Sequence, residues 1–192
     1  MLLLGVLAAQ AEAAAPAAAG SYDLLETEIL TGSQASVTFS NLNSTYGADY
    51  QHLQIRMTTR STRAGNTSDG LDINYNGDTG SNYAWHRLLG NGSSVSSAAG
   101  SSQTTGVIGV TSAASSTADS FSGAVLDILD PFETTKYTTA RCLSGITSTS
   151  LIFLSSVLWM NTAALDSIAL KADNGNLLAG CRFSLYGLKK AA

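Results

Sequence analysis

Short strand-like runs, separated by turn sequences along most of the chain, constrain its fold more than any other feature. In HLQIRMTTR the apolar residues Leu53, Ile55 and Met57 alternate with polar ones. Because successive side chains of a β-strand point to opposite faces of a sheet, this period of two indicates a strand with one buried face. Similar runs are SVTFSNL, LDINYNG, TGVIGVTS, FSGAVLDILD, TTKYTTARCLSGIT, SLIFLSSVLWM, DSIALKA and CRFSLYGL. We therefore predict about nine or ten short strands.

Turn sequences between these runs give the expected fold class. Asn-Gly pairs beginning at Asn76, Asn91 and Asn174 suit turns with a positive φ. The last of them, in DNGN, predicts a hairpin between DSIALKA and the final strand. Residues 90–106 are rich in Ser and Gly, which predicts a long loop. No run has the period of a long amphipathic helix, so the expected fold is all-β: an antiparallel β-sandwich of jelly-roll type over residues 21–192.

The first twenty residues differ in composition from the rest and predict an N-terminal arm, residues 1–20. Leu2 to Ala9 is apolar, as in a secretory signal, but the first Lys or Arg of the chain is Arg56. A signal peptide needs a basic start, so we expect an arm that docks on its own domain, a sister subunit or a larger shell. Its candidate contact residues are Leu2, Leu3, Leu4, Val6 and Leu7.

Composition excludes two classes of partner. Charged residues make up only 12% of the chain, against about 25% in ordinary soluble domains. Such a weakly charged surface suits a protein that is covered by neighbours. The net charge is −4 and the basic residues do not cluster beyond Lys189-Lys190, which argues against binding to nucleic acid. No apolar stretch reaches the roughly 20 residues of a membrane helix, so we expect neither nucleic acid nor membrane as a partner.

Two motifs resemble chemical sites but have simpler interpretations. DINYNGDTG, beginning at Asp72, matches the first half of a calcium loop, yet the twelfth position, which needs a bidentate Glu, is Tyr83. A strand followed by a turn is the favoured interpretation, with a cation site as the alternative. Cys142 and Cys181 lie in strand-like runs and are expected to be buried thiols. They form a disulfide only if their strands are neighbours with suitable geometry.

Catalytic residues are not expected from the sequence. His52 and His86 are candidate general bases, but packing at a surface or interface is the favoured role. The chain has neither a G-x-S-x-G elbow nor Cys/His spacing suited to a metal. Asp127 and Asp130 are candidate paired carboxylates for glycoside cleavage, although nothing singles them out. We expect no cofactor and no enzymatic activity.

One short segment, SNYAWH, is the best candidate for an exposed recognition patch. Tyr83, Trp85 and His86 follow each other closely there, and we call them the aromatic patch. Exposed aromatic rings bind sugars by stacking. The favoured alternative is that Tyr83 and Trp85 pack at a subunit contact or at the edge of the core.

Several stretches together resemble a family of tailed-bacteriophage virion proteins. They are SYDLLETEILTGSQASVTFSNL, YQHLQIRMTTRST, NGDTGSNYAWHRLLGNGSS and GCRFSLYGLK, and they cover roughly residues 21–190. Members of the family occur as short stand-alone proteins and as terminal domains of tail-fibre-like proteins. The resemblance implies a structural virion component without catalytic residues, and the arm lies outside it.

The short chain favours one role within that family. A tail fibre usually needs a long shaft before its tip, and this chain has only about twenty residues beyond its domain. We therefore expect a capsid decoration (cement) protein on the capsid surface, a homo-oligomer (trimer or dimer) that binds the major capsid protein. The alternative is a tail or head-fibre module that recognises host surface glycans, with the aromatic patch at its tip. A polysaccharide hydrolase is the third hypothesis.

Overall fold

The computed structural model describes residues 21–190, so the arm at 1–20 and the last two residues lie outside the described part of the chain. The described residues form twelve strands, one short helix and one 3₁₀ turn. The elements are β1 (Tyr22–Ile29), β2 (Ser36–Phe39), α1 (Leu42–Tyr46), β3 (Tyr50–Thr59), β4 (Ser68–Tyr75), β5 (Tyr83–Gly90), β6 (Val95–Gln103), β7 (Gly106–Ser112), β8 (Ser122–Leu129), β9 (Thr138–Ile146), the 3₁₀ turn (Thr147–Thr149), β10 (Leu151–Trp159), β11 (Ile168–Ala172) and β12 (Arg182–Lys189).

The strands form two antiparallel sheets, which confirms the predicted all-β class. The larger sheet has eight strands in the order β1-β12-β3-β8-β9-β10-β5-β6, and the smaller sheet has four in the order β2-β11-β4-β7. The chain stays in the larger sheet from β5 to β6 and from β8 through β9 to β10, and it changes sheet at every other connection between consecutive strands. The hairpins β5–β6 and β9–β10 belong entirely to the larger sheet.

The core lies between the sheets and contains the alternate residues that the sequence pattern predicts. Leu53, Ile55 and Met57 of β3 are all buried, whereas Arg56 and Thr58 between them are exposed. The largest fully buried side chains include Trp159, Tyr75, Tyr83, Phe153 and Phe183. Burying one such apolar side chain stabilises the fold by about 1.5–3 kcal/mol, so the inward faces of the strands provide most of the driving force.

The predicted hairpin at DNGN is wrong. β11 lies in the smaller sheet and β12 in the larger one, so residues 173–181 carry the chain from one sheet to the other. The buried Leu177 holds this crossing by isolated bridges to Gln34 and Ser61. The Asn-Gly sequence predicts a local turn but not the sheet to which the next strand belongs. Burial of the apolar Leu177 is a tertiary contact that the turn sequence does not contain.

The predicted loop at residues 90–106 is also wrong, because most of it is strand β6. Its Ser- and Ala-rich residues pair with β5 in an antiparallel ladder. Strand propensity is weak in such a sequence, but β5 supplies the hydrogen-bond partners. Gly100 adds a specific fit, since a Cβ there would lie 2.7 Å from Cε2 of Trp85 on β5.

Both cysteines are free and buried, which confirms the thiol interpretation and excludes the disulfide. Burial raises the pKa of Cys142 to about 12, so this thiol is unreactive at neutral pH. Within residues 21–190, none of the helical segments has the length and apolar character needed to cross a membrane.

Candidate functional site

The predicted aromatic patch does not form one exposed surface. Tyr83 is fully buried, and its Oη accepts a hydrogen bond from the backbone N–H of Tyr75 at 2.9 Å. The same hydroxyl donates to the carbonyl of Asp78 at 3.1 Å. The hypothesis of an exposed recognition patch is therefore wrong for Tyr83, whose ring belongs to the core and stacks on Tyr75 at 6.2 Å between centroids.

The other two members of the patch point to opposite sides of β5, as successive positions of a strand require. Trp85 shares the inner side of the strand with Tyr83, packs against the core and is partly buried. His86 is exposed on the other side, in register with Ser156 of β10. The packing alternative therefore describes Tyr83 and Trp85 better than a continuous sugar-binding surface does.

The side of the larger sheet that faces away from the smaller sheet is unusually apolar, and we call it the outer face. Ten large hydrophobic side chains are exposed in the described part of the chain, and all except Tyr137 lie on this face. They are Tyr22, Leu24, Ile29, Leu88, Val95, Val125, Leu143, Ile152 and Leu154. Such a concentration on one surface is typical of a binding interface rather than of a free surface.

Strand register places four of these residues in one continuous row. Val125 of β8 lies opposite Leu143 of β9, which lies opposite Leu154 of β10, and Leu154 lies opposite Leu88 of β5. Next to this row is a shallow depression of about 640 Å³ whose lining includes Gly123, Gly145 and Ile152. The glycines leave room there for side chains of a partner.

Charged side chains lie beside the apolar row on the outer face. Arg56 and Arg182 line the depression. Asp127 is neutralised by Arg141, whose Nε lies 3.2 Å from its carboxylate. Because charged residues are expensive to bury between two proteins, the apolar row is the part of this face that suits an interface core.

A second concave feature lies between β5 of the larger sheet and β4 and β7 of the smaller one. We call it the acidic groove; its volume is about 500 Å³, and its lining includes Asp69, Asp72, Asp173, Trp85, Arg63 and Arg87. Trp85 and Arg87 come from alternate positions of β5, and the Arg87 guanidinium lies 5.8 Å from the centre of the Trp85 ring. The groove therefore combines acids, bases and one aromatic ring.

The carboxylate of Asp69 is held at one end of this groove. Its Oδ1 accepts hydrogen bonds from the backbone N–H of Gly70 at 2.9 Å and of Asn174 at 3.2 Å, and Arg63 Nη1 lies 3.4 Å away. Its Oδ2 is buried and has no hydrogen-bond partner among residues 21–190. A buried carboxylate oxygen without a donor is costly, by about 1–3 kcal/mol or more.

Asp72, on the neighbouring stretch of β4, has an unusual proton affinity. Burial is the main cause, and the nearby negative charges of Asp173 and Asp69 add to it, while Lys171 opposes them. Together they raise the pKa of Asp72 to about 7. A β-bulge in the pairing with β7 falls between Leu71 and Asp72 and accompanies this buried position.

The half-match to a calcium loop is a structural turn. Asp78 accepts hydrogen bonds from Trp159 Nε1 at 2.7 Å, Asn82 Nδ2 at 2.9 Å and the backbone N–H of Gly80 at 2.8 Å. These bonds, with that from Trp159 largest, lower the pKa of Asp78. Residues 21–190 contain no group of three or more His, Cys, Asp or Glu placed to hold a metal ion.

The candidate carboxylates and His52 lie in a network on the outer face of the larger sheet. Asp130 accepts hydrogen bonds from Gln51 Nε2 and Lys136 Nζ, and its backbone N–H donates to His52 Nδ1 at 3.0 Å. Asp127 is bound by Gln54 Nε2 at 2.8 Å as well as by Arg141. Each carboxylate is thus engaged with a cation and an amide within the sheet.

Comparison with known proteins gives no relative for this chain: no protein-family model, curated protein or solved structure matches it significantly.

Sequence reasoning missed both surfaces, although a signal for the outer face was present. SLIFLSSVLWM carries apolar residues on both faces of the strand: Ile152 and Leu154 point outward, and Phe153 and Val157 point inward. The run is therefore a strand with two apolar faces. The acidic groove has no comparable signal, because its residues come from distant parts of the chain.

Proposed function

We propose that this protein is a structural component of a bacteriophage virion, most specifically a capsid decoration (cement) protein that binds and stabilises the capsid shell as a homo-oligomer. Two arguments support the proposal. The resemblance to tailed-phage virion proteins suggests the virion, and the apolar outer face suggests permanent association with other subunits. The proposed location is the capsid surface, and the proposal assigns no catalytic residue, cofactor or metal.

The observation that carries the proposal is the concentration of exposed apolar side chains on the outer face. We propose that a second copy of the chain covers it. Eight strands about 4.8 Å apart and about eight residues long present roughly 1,000 Å². A stable interface needs about 800 Å² per partner, so two such faces are large enough to form one.

The order of the strands supports a jelly roll as the finer description of the sandwich. Eight strands form nested pairs: β1 with β12, β2 with β11, β3 with β8 and β4 with β7. This nesting, with successive strands changing sheet, is the arrangement obtained when one long hairpin is rolled into two Greek keys. The hairpins β5–β6 and β9–β10 are then insertions that widen one sheet.

The arm supplies the proposed contact with the major capsid protein. Its candidate residues Leu2, Leu3, Leu4, Val6 and Leu7 lie outside the described residues, so this part of the proposal depends on the sequence. An apolar segment that carries a single ionisable side chain, Glu12, suits a groove on an assembled shell. Sister subunits then use the outer face, and the shell uses the arm.

A matched pair of variants tests the association of subunits. Leu143 is 51% exposed on the outer face, and Tyr137 is 50% exposed outside it. We expect the wild-type protein to be a dimer or trimer by sedimentation, Leu143→Asp to be monomeric and folded, and Tyr137→Asp to associate normally. A monomeric wild-type protein, or loss of association in both variants, contradicts the proposed interface.

Location in the virion is tested separately, by immunogold electron microscopy of purified particles with antibody to residues 21–192. Label over the whole head supports a decoration protein. Label restricted to the tail or to one vertex supports the alternative proposal, a fibre module that recognises host glycans. The observation that favours this alternative is the acidic groove, where Trp85 lies among polar side chains.

A further inference from the structure

The acidic groove has the size and the polar lining of a ligand site, and the proposed association of subunits leaves it uncovered. It lies on the inner side of β5, whereas the outer face is on the other side of the same strand. Its volume of about 500 Å³ lies within the range of small-molecule sites, about 300–1,000 Å³. The inference therefore does not rest on the assembly proposal, and it gives the alternative glycan-binding role a specific location.

The mixture of charges in the groove selects the chemical class of ligand. Three carboxylates disfavour a phosphate or another anion, and Arg63 and Arg87 disfavour a cationic ligand. The lining also includes the amide of Gln103 and the hydroxyl of Thr105. A neutral molecule with many hydroxyl groups satisfies acceptors and donors together, because each hydroxyl both donates and accepts.

We propose that the acidic groove binds a neutral saccharide, whose hydroxyl groups donate to Asp69 and Asp72 and whose apolar face packs on Trp85. Asp69 is 2% exposed, and its Oδ2 lacks a donor among the described residues. A sugar hydroxyl supplies that donor. Arg63 and Arg87 then donate to the remaining sugar oxygens.

Asp72 fits this role because its carboxylate is stabilised by bound hydroxyl groups. Without a ligand the charged form is disfavoured by burial. Hydrogen bonds from a saccharide favour that form, so binding and ionisation of Asp72 support each other. The site thus binds most strongly above neutral pH.

The test is titration of the ¹⁵N-labelled full-length chain with three neutral trisaccharides: maltotriose, cellotriose and chitotriose. Spermidine and tripolyphosphate serve as cationic and anionic probes. We expect at least one trisaccharide to shift the Trp85 indole N–H and the amides of Gly70 and Asn174. Asp72→Asn and Trp85→Ala should each weaken this binding by about tenfold or more.

His86→Ala is the matched control, since His86 is next to Trp85 on the other side of β5, and it should bind as the wild type does. Thermal unfolding shows whether each variant is folded, and Asp72→Asn keeps the shape of the side chain. The proposal is overturned if none of the trisaccharides shifts the resonances of the groove residues, if only spermidine or tripolyphosphate shifts them, or if Asp72→Asn retains full affinity for the sugar. Undiminished sugar binding by Leu143→Asp separates this site from the subunit interface.

Discussion

At the scale of single residues, Asp72 lowers the free energy of unfolding when its buried carboxyl is charged. The residue is 5% exposed, and its carboxyl lies near two other acids that, together with burial, raise its pKa to about 7. In an unfolded chain the same group has a pKa near 3.8. A residue that destabilises the fold in its charged form is typical of a binding site rather than of a structural position.

This difference makes stability depend on pH in a defined direction. Between about pH 4 and 7 the folded chain binds more protons at Asp72 than the unfolded chain does, so this residue's contribution to stability falls as pH rises. Asp72→Asn should therefore raise the free energy of unfolding by about 2–4 kcal/mol at pH 8 and change it little at pH 4. Urea unfolding of both proteins at the two pH values measures the effect.

Asp49→Asn is the control for that measurement, because Asp49 is exposed. It should change stability little at either pH. An equal gain for Asp72→Asn at both pH values would mean that the effect comes from packing and not from the proton.

The residues of the candidate sites differ in how far the sequence predicts them. Burial of the two thiols is predictable from the strand pattern, because an isolated Cys in an apolar strand usually packs as a small hydrophobic residue. For Tyr83 the sequence favours packing over exposure, but its stacking on Tyr75 depends on the turn between β4 and β5, which the residue pattern does not contain. Asp72 and Asp173 are about a hundred positions apart in sequence, and only the crossing of β11 brings them together.

At the scale of elements, the nine runs identified in the sequence all form strands, whereas β1, β5 and β6 are not among them. β3, β8 and β11 alternate clearly, so their inward residues follow directly from the sequence. β6 does not alternate, because it is an edge strand whose residues are mostly exposed. Its position depends on tertiary contact with β5, which a local pattern does not contain.

The contact between Gly100 and Trp85 is the clearest of these tertiary interactions. A Cβ at Gly100 meets the indole at 2.7 Å, so Gly100→Val should displace the ring and lower the free energy of unfolding by about 1–3 kcal/mol. Trp159 is 1% exposed, so a red shift in tryptophan emission reports on Trp85. Ala99→Val, at an exposed position on the same strand, should have little effect on either measurement.

At the scale of the whole molecule, the larger sheet separates two surfaces with different chemistry. Its outer face is apolar and suits another protein, and its inner side contributes Trp85 and Arg87 to a polar groove. The hairpins β5–β6 and β9–β10 contribute to both surfaces, since they carry Leu88, Leu143 and Leu154 outward and Trp85 inward. The added hairpins thus contribute to both proposed surfaces, whereas the carboxylates of the groove come from β4 and from the segment after β11.

The arm provides the last prediction, because the proposal gives it a partner different from that of the outer face. Among the described residues 21–190, the core contains buried apolar side chains from Leu30 onward. Deleting residues 2–20 should therefore leave the melting temperature and the association of subunits nearly unchanged, and abolish binding to undecorated capsids. Co-sedimentation with capsids measures the binding. If the truncated protein still binds capsids at full occupancy, the sandwich and not the arm makes the capsid contact. If the truncated protein no longer associates with itself, the arm links the subunits.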